Sequence, residues 1–158
     1  LIERSVRYDI KGRKYIDTPA KFYFSDLGLR NARINFRQYA ETHLMENLIY
    51  NELRLRGMSV DVGVVVKNEK DANGVSVRKQ LEVDFVCNQG SQRYYIQSAL
   101  RLSNEEKREQ EVRSLKSIND SFRKFVITED LISRYQDNEG ITYMNIYEFL
   151  LDENSLRV

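Results

Sequence analysis

Glu82-Val83-Asp84-Phe85-Val86, followed across a short polar loop by Tyr94-Tyr95-Ile96-Gln97-Ser98-Ala99, decides the fold. Polar and apolar residues alternate in the first segment, and both are rich in β-branched or aromatic side chains, so each reads as a strand. Gln89-Gly90-Ser91 between them has the composition of a tight hairpin loop. Alternate strand residues share a face. Glu82, Asp84 and Val86 are therefore expected on one side, with Val83, Phe85 and Cys87 on the other. Tyr95, Gln97 and Ala99 share a face opposite Tyr94, Ile96 and Ser98. If the two strands are neighbours, the side chains of Asp84 and Gln97 can meet.

Working outward, Val60 to Val66 reads as a buried strand, and the polar stretch Lys67 to Lys79 turns at Asn73-Gly74. Gln80 to Asn88 and Arg93 to Leu100 are the second and third core strands. Upstream, Arg37 to Arg56 has helical spacing: Leu44, Leu48 and Leu55, with Met45, Ile49 and Leu53, give a broad apolar face that ends at Gly57. Downstream, Ser103 with Glu106 forms a capping-box pattern ahead of a helix that buries Val112, Leu115 and Ile118. Lys124 to Thr128 is a fourth strand. A short helical piece near Leu131 to Tyr135, a strand near Ile141 to Met144 and a helix over Asn145 to Leu151 complete the chain.

The opening is less regular. Val6 to Ile10 and Arg13 to Ile16 flank Lys11-Gly12 as a hairpin, Pro19 interrupts, Lys21 to Phe24 is a short aromatic strand, and Asp26 to Asn31 reads as a turn. The expected division is a connector and hairpin remnant over residues 1–30 and an α/β domain over residues 31–158.

Composition narrows the class. The 158 residues include 41% apolar and 31% charged side chains, one Pro and seven Gly, a folded profile for about one domain. A net charge of +1 provides no global field for nucleic acid or an anionic membrane, so any such binding needs a local patch. Cys87 is the single cysteine, which excludes an internal disulfide and suits a reducing compartment, so a cytoplasmic location is expected. No apolar run approaches the ~18 residues of a membrane span. The chain begins at Leu1 without a Met and is expected to be a fragment of something longer. Oligomeric state is not legible.

Glu46, placed mid-helix between apolar rows, could reach over the sheet edge to Asp84 and Gln97, forming one polar pocket of Glu46, Asp84 and Gln97. Oxygen ligands of this kind suit Mg²⁺. A metal in such a site polarises phosphate and lowers the pKa of an attacking water. The plainer alternative places Glu46, Glu82 and Asp84 on solvated faces. His43, the single histidine, reads as a structural or surface residue, and Cys87 as core. Arg101, Lys107, Arg108 and Arg113 alternate with Glu105, Glu106, Glu109 and Glu111, the pattern of a salt-bridged helix face. Tyr94, Tyr95, Phe22, Tyr23 and Phe24 could stack on bases but alternate as core residues do.

The helix carrying Met45-Glu46-Asn47, the strand Glu82 to Val86 and the strand Tyr95 to Ala99 together resemble the PD-(D/E)XK nuclease-like fold. Over residues about 6 to 151, the chain more closely resembles the domain of unknown function found C-terminal to bacterial and archaeal AAA-type P-loop ATPases. The most specific stretch is Lys21-Phe22-Tyr23-Phe24-Ser25-Asp26-Leu27-Gly28-Leu29-Arg30-Asn31-Ala32. The resemblance implies a mixed sheet flanked by helices, and an ATPase domain and winged-helix segment upstream in the parent. ATP would be bound by that upstream domain, since this chain has no Gly-x-x-x-x-Gly-Lys-Ser/Thr loop. It also implies a Glu-x-Lys pair on the third strand, where this chain has Gln97 and Ala99.

Gln97 offers a neutral carbonyl and Ala99 no charge, so the electrostatics of phosphodiester cleavage are weakened. The expectation is a degenerate site at Glu46, Asp84, Gln97 and Ala99, with no catalysis by the isolated domain and a role in recognition or domain packing. One alternative is a divergent Mg²⁺-dependent DNA nuclease, with Glu46, Asp84 and Gln97 as metal ligands and Arg101 or Lys79 as a migrated cation. A second is a protein-interaction domain with no nucleic-acid role, in keeping with the near-neutral charge. The expected partners are the upstream ATPase domain and DNA, not a membrane.

Overall fold

A computed structural model describes residues 1–37, 40–70 and 72–157. Their strands form one eight-stranded mixed sheet, and the fold is α/β, as the alternation of strand and helix patterns predicts. In chain order the elements are β1 (Ile2–Asp9), β2 (Lys14–Phe24), α1 (Leu27–Arg33), α2 (Glu41–Leu55), β3 (Ser59–Lys70), β4 (Ser76–Gln89), β5 (Gln92–Ala99), α3 (Glu105–Lys116), β6 (Arg123–Thr128), β7 (Tyr135–Gln136), β8 (Ile141–Asn145) and α4 (Ile146–Leu151). Across the sheet the strand order is β2-β1-β3-β4-β5-β6-β8-β7.

The centre follows the quoted stretch. β4 pairs antiparallel with β5, from Phe85 against Ile96 to Gln89 against Gln92. β3 and β4 form a long hairpin with Gly74 at positive φ in its turn, where a residue without Cβ is unstrained. β5 runs parallel to β6, and the α3 crossover between them covers one face of the sheet. Val112, Leu115 and Ile118 pack there against Val65, Val83, Tyr95 and Val126. α2 and α4 cover the other face, where Ile49, Leu53 and Phe149 meet Phe85, Ile96 and Phe125.

A bulge reassigns the faces of β4. Asp61 opposes Val86 but Gly63 opposes Val83, so Asp84 and Phe85 together face the single residue between. Val83 and Val86 consequently pack on the α3 side, while Phe85 and Cys87 pack on the α2 side. Strict alternation, which groups Val83 with Phe85 and Glu82 with Val86, fails at this point.

The opening differs most from expectation. Residues 1–30 are not a separate connector. β1 lies between β2 and β3, parallel to β3 and antiparallel to β2. β2 continues through Pro19, which its edge position tolerates because an edge strand has a solvent-facing side that needs no donor. The register slips between Ser5 and Arg7. Arg4 Nη2 donates to Asp17 O at 2.8 Å and Arg7 Nε to Pro19 O at 2.7 Å, satisfying carbonyls the slip releases from the ladder.

Asp26 to Asn31 is not a plain turn: Asp26 caps α1 by accepting from Leu29 N at 2.9 Å. The helix expected from Arg37 begins at Glu41, and positions 38 and 39 lie outside the described residues. Its buried face is Met45, Asn47, Ile49, Tyr50 and Leu53, whereas Leu48 and Leu55 are 37% and 82% exposed. Asn104, not Ser103, caps α3, accepting from Lys107 N. The segment at 131–135 is not helical. It leads into β7, where Tyr135 stacks on Tyr143 with ring centroids 4.7 Å apart.

Candidate functional site

The carboxylates singled out in the sequence come together around a lysine from the first hairpin. Lys21 and Tyr23 share a face of β2 by strand alternation, and both turn towards α2 and β4. Lys21 Nζ lies 2.8 Å from Glu46 Oε1, 2.7 Å from Glu82 Oε1 and 3.3 Å from Asp84 Oδ1. An ammonium has three protons, and here each meets a carboxylate. Tyr23 OH donates to the same Glu46 oxygen at 2.7 Å. The outer oxygen of Glu82 pairs with Arg7 Nη1 at 2.7 Å. Asp84 Oδ2 accepts the backbone N–H of Ser98 at 2.9 Å.

The local sequence explains the convergence. The bulge in β4 breaks alternation just after Asp84, so Asp84 keeps the α2-side face it shares with Glu82 and Phe85 is brought onto the same side. Asn47, one residue past Glu46, is buried and clamps the end of β2: it accepts from Phe24 N at 2.9 Å and donates to Phe24 O at 2.8 Å. Tyr23 stacks on Tyr50 of α2 with ring centroids 4.0 Å apart and planes at 14°. Helix α2 and strand β2 are thus locked together at two successive β2 residues, immediately beyond Lys21.

Burial sets the protonation energetics. Burial raises the Asp84 carboxyl well above the usual carboxylate range, and the Glu46 charge adds to the effect, while Lys21 and the Ser98 N–H oppose it. Burial works the same way on Glu82, but Lys21 and Arg7 outweigh it and its carboxyl is lowered. For Lys21, burial favours the neutral amine, yet Asp84 and Glu46 prevail and hold the ammonium form far above neutral pH. Tyr23 is kept protonated by burial first and then by Glu46.

A cleft of about 570 Å³ opens on this cluster. Phe24, Arg30 and the exposed His43 lie at its margin, so His43 is the surface residue its sequence context suggests.

Gln97 and Ala99 stand elsewhere. The Gln97 side-chain oxygen faces the Asp84 backbone N–H at 3.4 Å and Ser114 OH of α3 at 3.5 Å. Ala99 is buried in the α3-side core. The expected trio of Glu46, Asp84 and Gln97 is therefore a pair, with Gln97 beneath it on the other side of the sheet. The proposed migrated cations are also remote. Arg101 is exposed and lies 3.8 Å from Glu129, and Lys79 lines a groove beside α3. Among the described residues no group of three His, Cys, Asp or Glu side chains is arranged to hold a metal ion. Cys87 is fully buried, as expected of a core thiol.

Sequence reasoning missed Lys21, Tyr23 and Arg7. Lys21-Phe22-Tyr23-Phe24 did carry a signal, a lysine and a tyrosine on one face of an otherwise apolar strand. What hid its meaning was the separation of 25 and 63 residues between Lys21 and its partners Glu46 and Asp84.

No known protein family matches the chain, and no solved structure matches it. An uncharacterized protein of Haemophilus influenzae is 28% identical to it over 151 residues, 96% of this chain and 34% of that protein. The chain thus spans about a third of the length of the curated relative it matches.

Proposed function

We propose that this chain is a non-catalytic module of PD-(D/E)XK type, in which an internal lysine neutralises the acidic cluster. The observation that carries the reading is the position of Lys21: one ammonium engages Glu46, Glu82 and Asp84 at once. The donor set does not fit a metal. Glu46 and Asp84 are both engaged by a cation of the protein itself, Asp84's other oxygen is tied to backbone, and Gln97 turns away. A divalent ion would have to displace the Lys21 ammonium from all three carboxylates and leave that cation without its partners. The cluster instead fastens an edge hairpin to the sheet and to α2.

On this reading the module serves recognition or domain packing in a longer protein with a P-loop ATPase domain upstream and DNA as one potential ligand of the whole. The greater length of the H. influenzae relative accords with a longer parent. Incubation of the chain with plasmid and branched DNA in Mn²⁺ or Mg²⁺ tests it: no cleavage above a metal-free control is expected. Cleavage that Asp84→Ala abolishes would overturn it.

A second reading, a divergent Mg²⁺-dependent DNA nuclease, draws on the same lysine. Lys21 places an ammonium beside Asp84, where Ala99 supplies none. It requires Lys21→Ala to remove cleavage with Asp84→Ala.

A further inference from the structure

On the α3 side of the sheet, away from the acidic cluster and independent of its reading, a second cleft of about 570 Å³ opens between the β1–β2 turn, the β4–β5 turn and the connection from α3 to β6. That volume is in the range of small-ligand sites. Arg93 lies in it, with its guanidinium carbon 5.0 Å from the ring centroid of Tyr8 and 5.6 Å from that of Phe122. Arg93 Nε donates to Asn88 Oδ1 at 2.7 Å. The Tyr8 and Phe122 rings, the Asn88 amide and the Tyr95 hydroxyl hold the guanidinium, and none of them is charged. The buried Asp61 carboxylate acts on it through space without forming an ion pair.

Lys11 and Arg13 stand at the mouth, both exposed. Among the described residues, none of the three basic side chains forms an ion pair. This contrasts with the neighbouring α3 surface, where Lys116 pairs with Glu109 and Glu139, and Arg113 pairs with Glu69. Asp120 is the carboxylate lining the cleft, and both its oxygens are turned to the protein. One accepts from Tyr95 OH at 2.6 Å and the other from Phe122 N at 3.1 Å. Phe122, beside the guanidinium, is 40% exposed.

A preoriented guanidinium suits phosphate because its planar donors match two phosphate oxygens. Two further unpaired cations add long-range attraction, and an exposed ring accepts a stacked base whatever its identity. We propose that this cleft binds a nucleoside phosphate, with the phosphate on Arg93, Lys11 and Arg13 and the base against Phe122. A free nucleotide or one nucleotide of a single strand presents the same chemistry.

The test is fluorescence anisotropy with labelled oligothymidylate, and competition by thymidine monophosphate, from about 50 to about 200 mM salt. On a strand, where Arg93, Lys11 and Arg13 each neutralise one phosphate, a slope of log affinity against log salt of about −2 is predicted. Lys11→Gln with Arg13→Asn should reduce that slope to about −0.7 and weaken binding, with an unchanged thermal transition. Asn is chosen because Arg13 has φ 50°, which Asn adopts readily. Arg78→Gln, on the exposed β3–β4 hairpin, should change nothing. Competition by the mononucleotide at matching affinity identifies a free nucleotide as the ligand, and binding of the oligonucleotide alone identifies a strand. Absence of saturable binding by both probes, or binding that the double variant leaves intact, overturns the proposal.

Discussion

At the residue scale, Lys21 organises the acidic cluster and Asp84 makes it costly. The ionised Asp84 is held beside Glu46 with 8% of its surface exposed, and burial lifts its carboxyl above the ordinary value of 3.8. A raised carboxyl contributes stability that is complete below the unfolded-state value and is lost as pH rises through the folded-state value of about 7. The margin of the native chain over Asp84→Asn should therefore shrink between pH 4 and pH 8, by about 4 kcal/mol, as read by urea unfolding across that range. Lys21→Met leaves Glu46, Glu82 and Asp84 facing one another without their shared cation. A loss of about 3 kcal/mol is expected at pH 8. It should be smaller at pH 5, where Asp84 takes up a proton. A loss independent of pH would mean that Lys21 acts through packing of its stem alone.

At the scale of elements, the bulge in β4 positions the site. Gly63 of β3 sits opposite it, and a Cβ there would lie 2.9 Å from both Val83 Cβ and Val86 Cγ2. Backbone approach of this closeness admits no side chain. Gly63→Ala should destabilise the fold by about 1–3 kcal/mol through overpacking, measured by chemical denaturation. A neutral result would show that the bulge can relax.

The same bulge marks where the sequence ceased to be legible. The paired strands around Glu82 and Tyr95 follow from alternation and turn chemistry, which are local. The face each residue takes beyond Asp84 depends on Gly63 in another strand, and alternation carries no record of it. β2 was concealed for a related reason. Pro19 looks like a terminator, and only its place at the sheet edge makes it harmless. The register of α2 was legible through Met45, Ile49 and Leu53. Leu48 and Leu55 were misread because Tyr50 and the polar Asn47 take the buried positions that leucines would be expected to fill.

At the scale of the whole molecule, the two faces of the sheet carry different chemistry. The α2 face holds a self-neutralised acidic cluster, and the α3 side holds, around Arg93, cations that form no ion pair among the described residues. The net charge of +1 conceals both, because it sums over patches that never meet. Far from either, Arg56 ties the end of α2 to the C-terminal segment. It pairs with Glu52 at 2.8 Å, donates to Ser155 Oγ at 3.0 Å and to Phe149 O, and lies over the Phe149 ring at 4.3 Å. Hairpin and tail are thus each fastened to α2, the hairpin from Glu46 through to Arg54 and the tail at the C-cap Arg56. The α/β class was legible from the order of patterns. The site was legible only as Glu46 and Asp84, since the lysine that decides its chemistry arrives from a distant strand.

Calorimetric titration of the chain with Mn²⁺ at neutral pH tests the central claim most directly. A cluster neutralised by Lys21 predicts no saturable binding below millimolar metal, and the appearance of binding in Lys21→Ala, where the three carboxylates are released. Tight binding by the native chain that Asp84→Ala removes would contradict it and make the lysine a companion of the metal instead of its substitute.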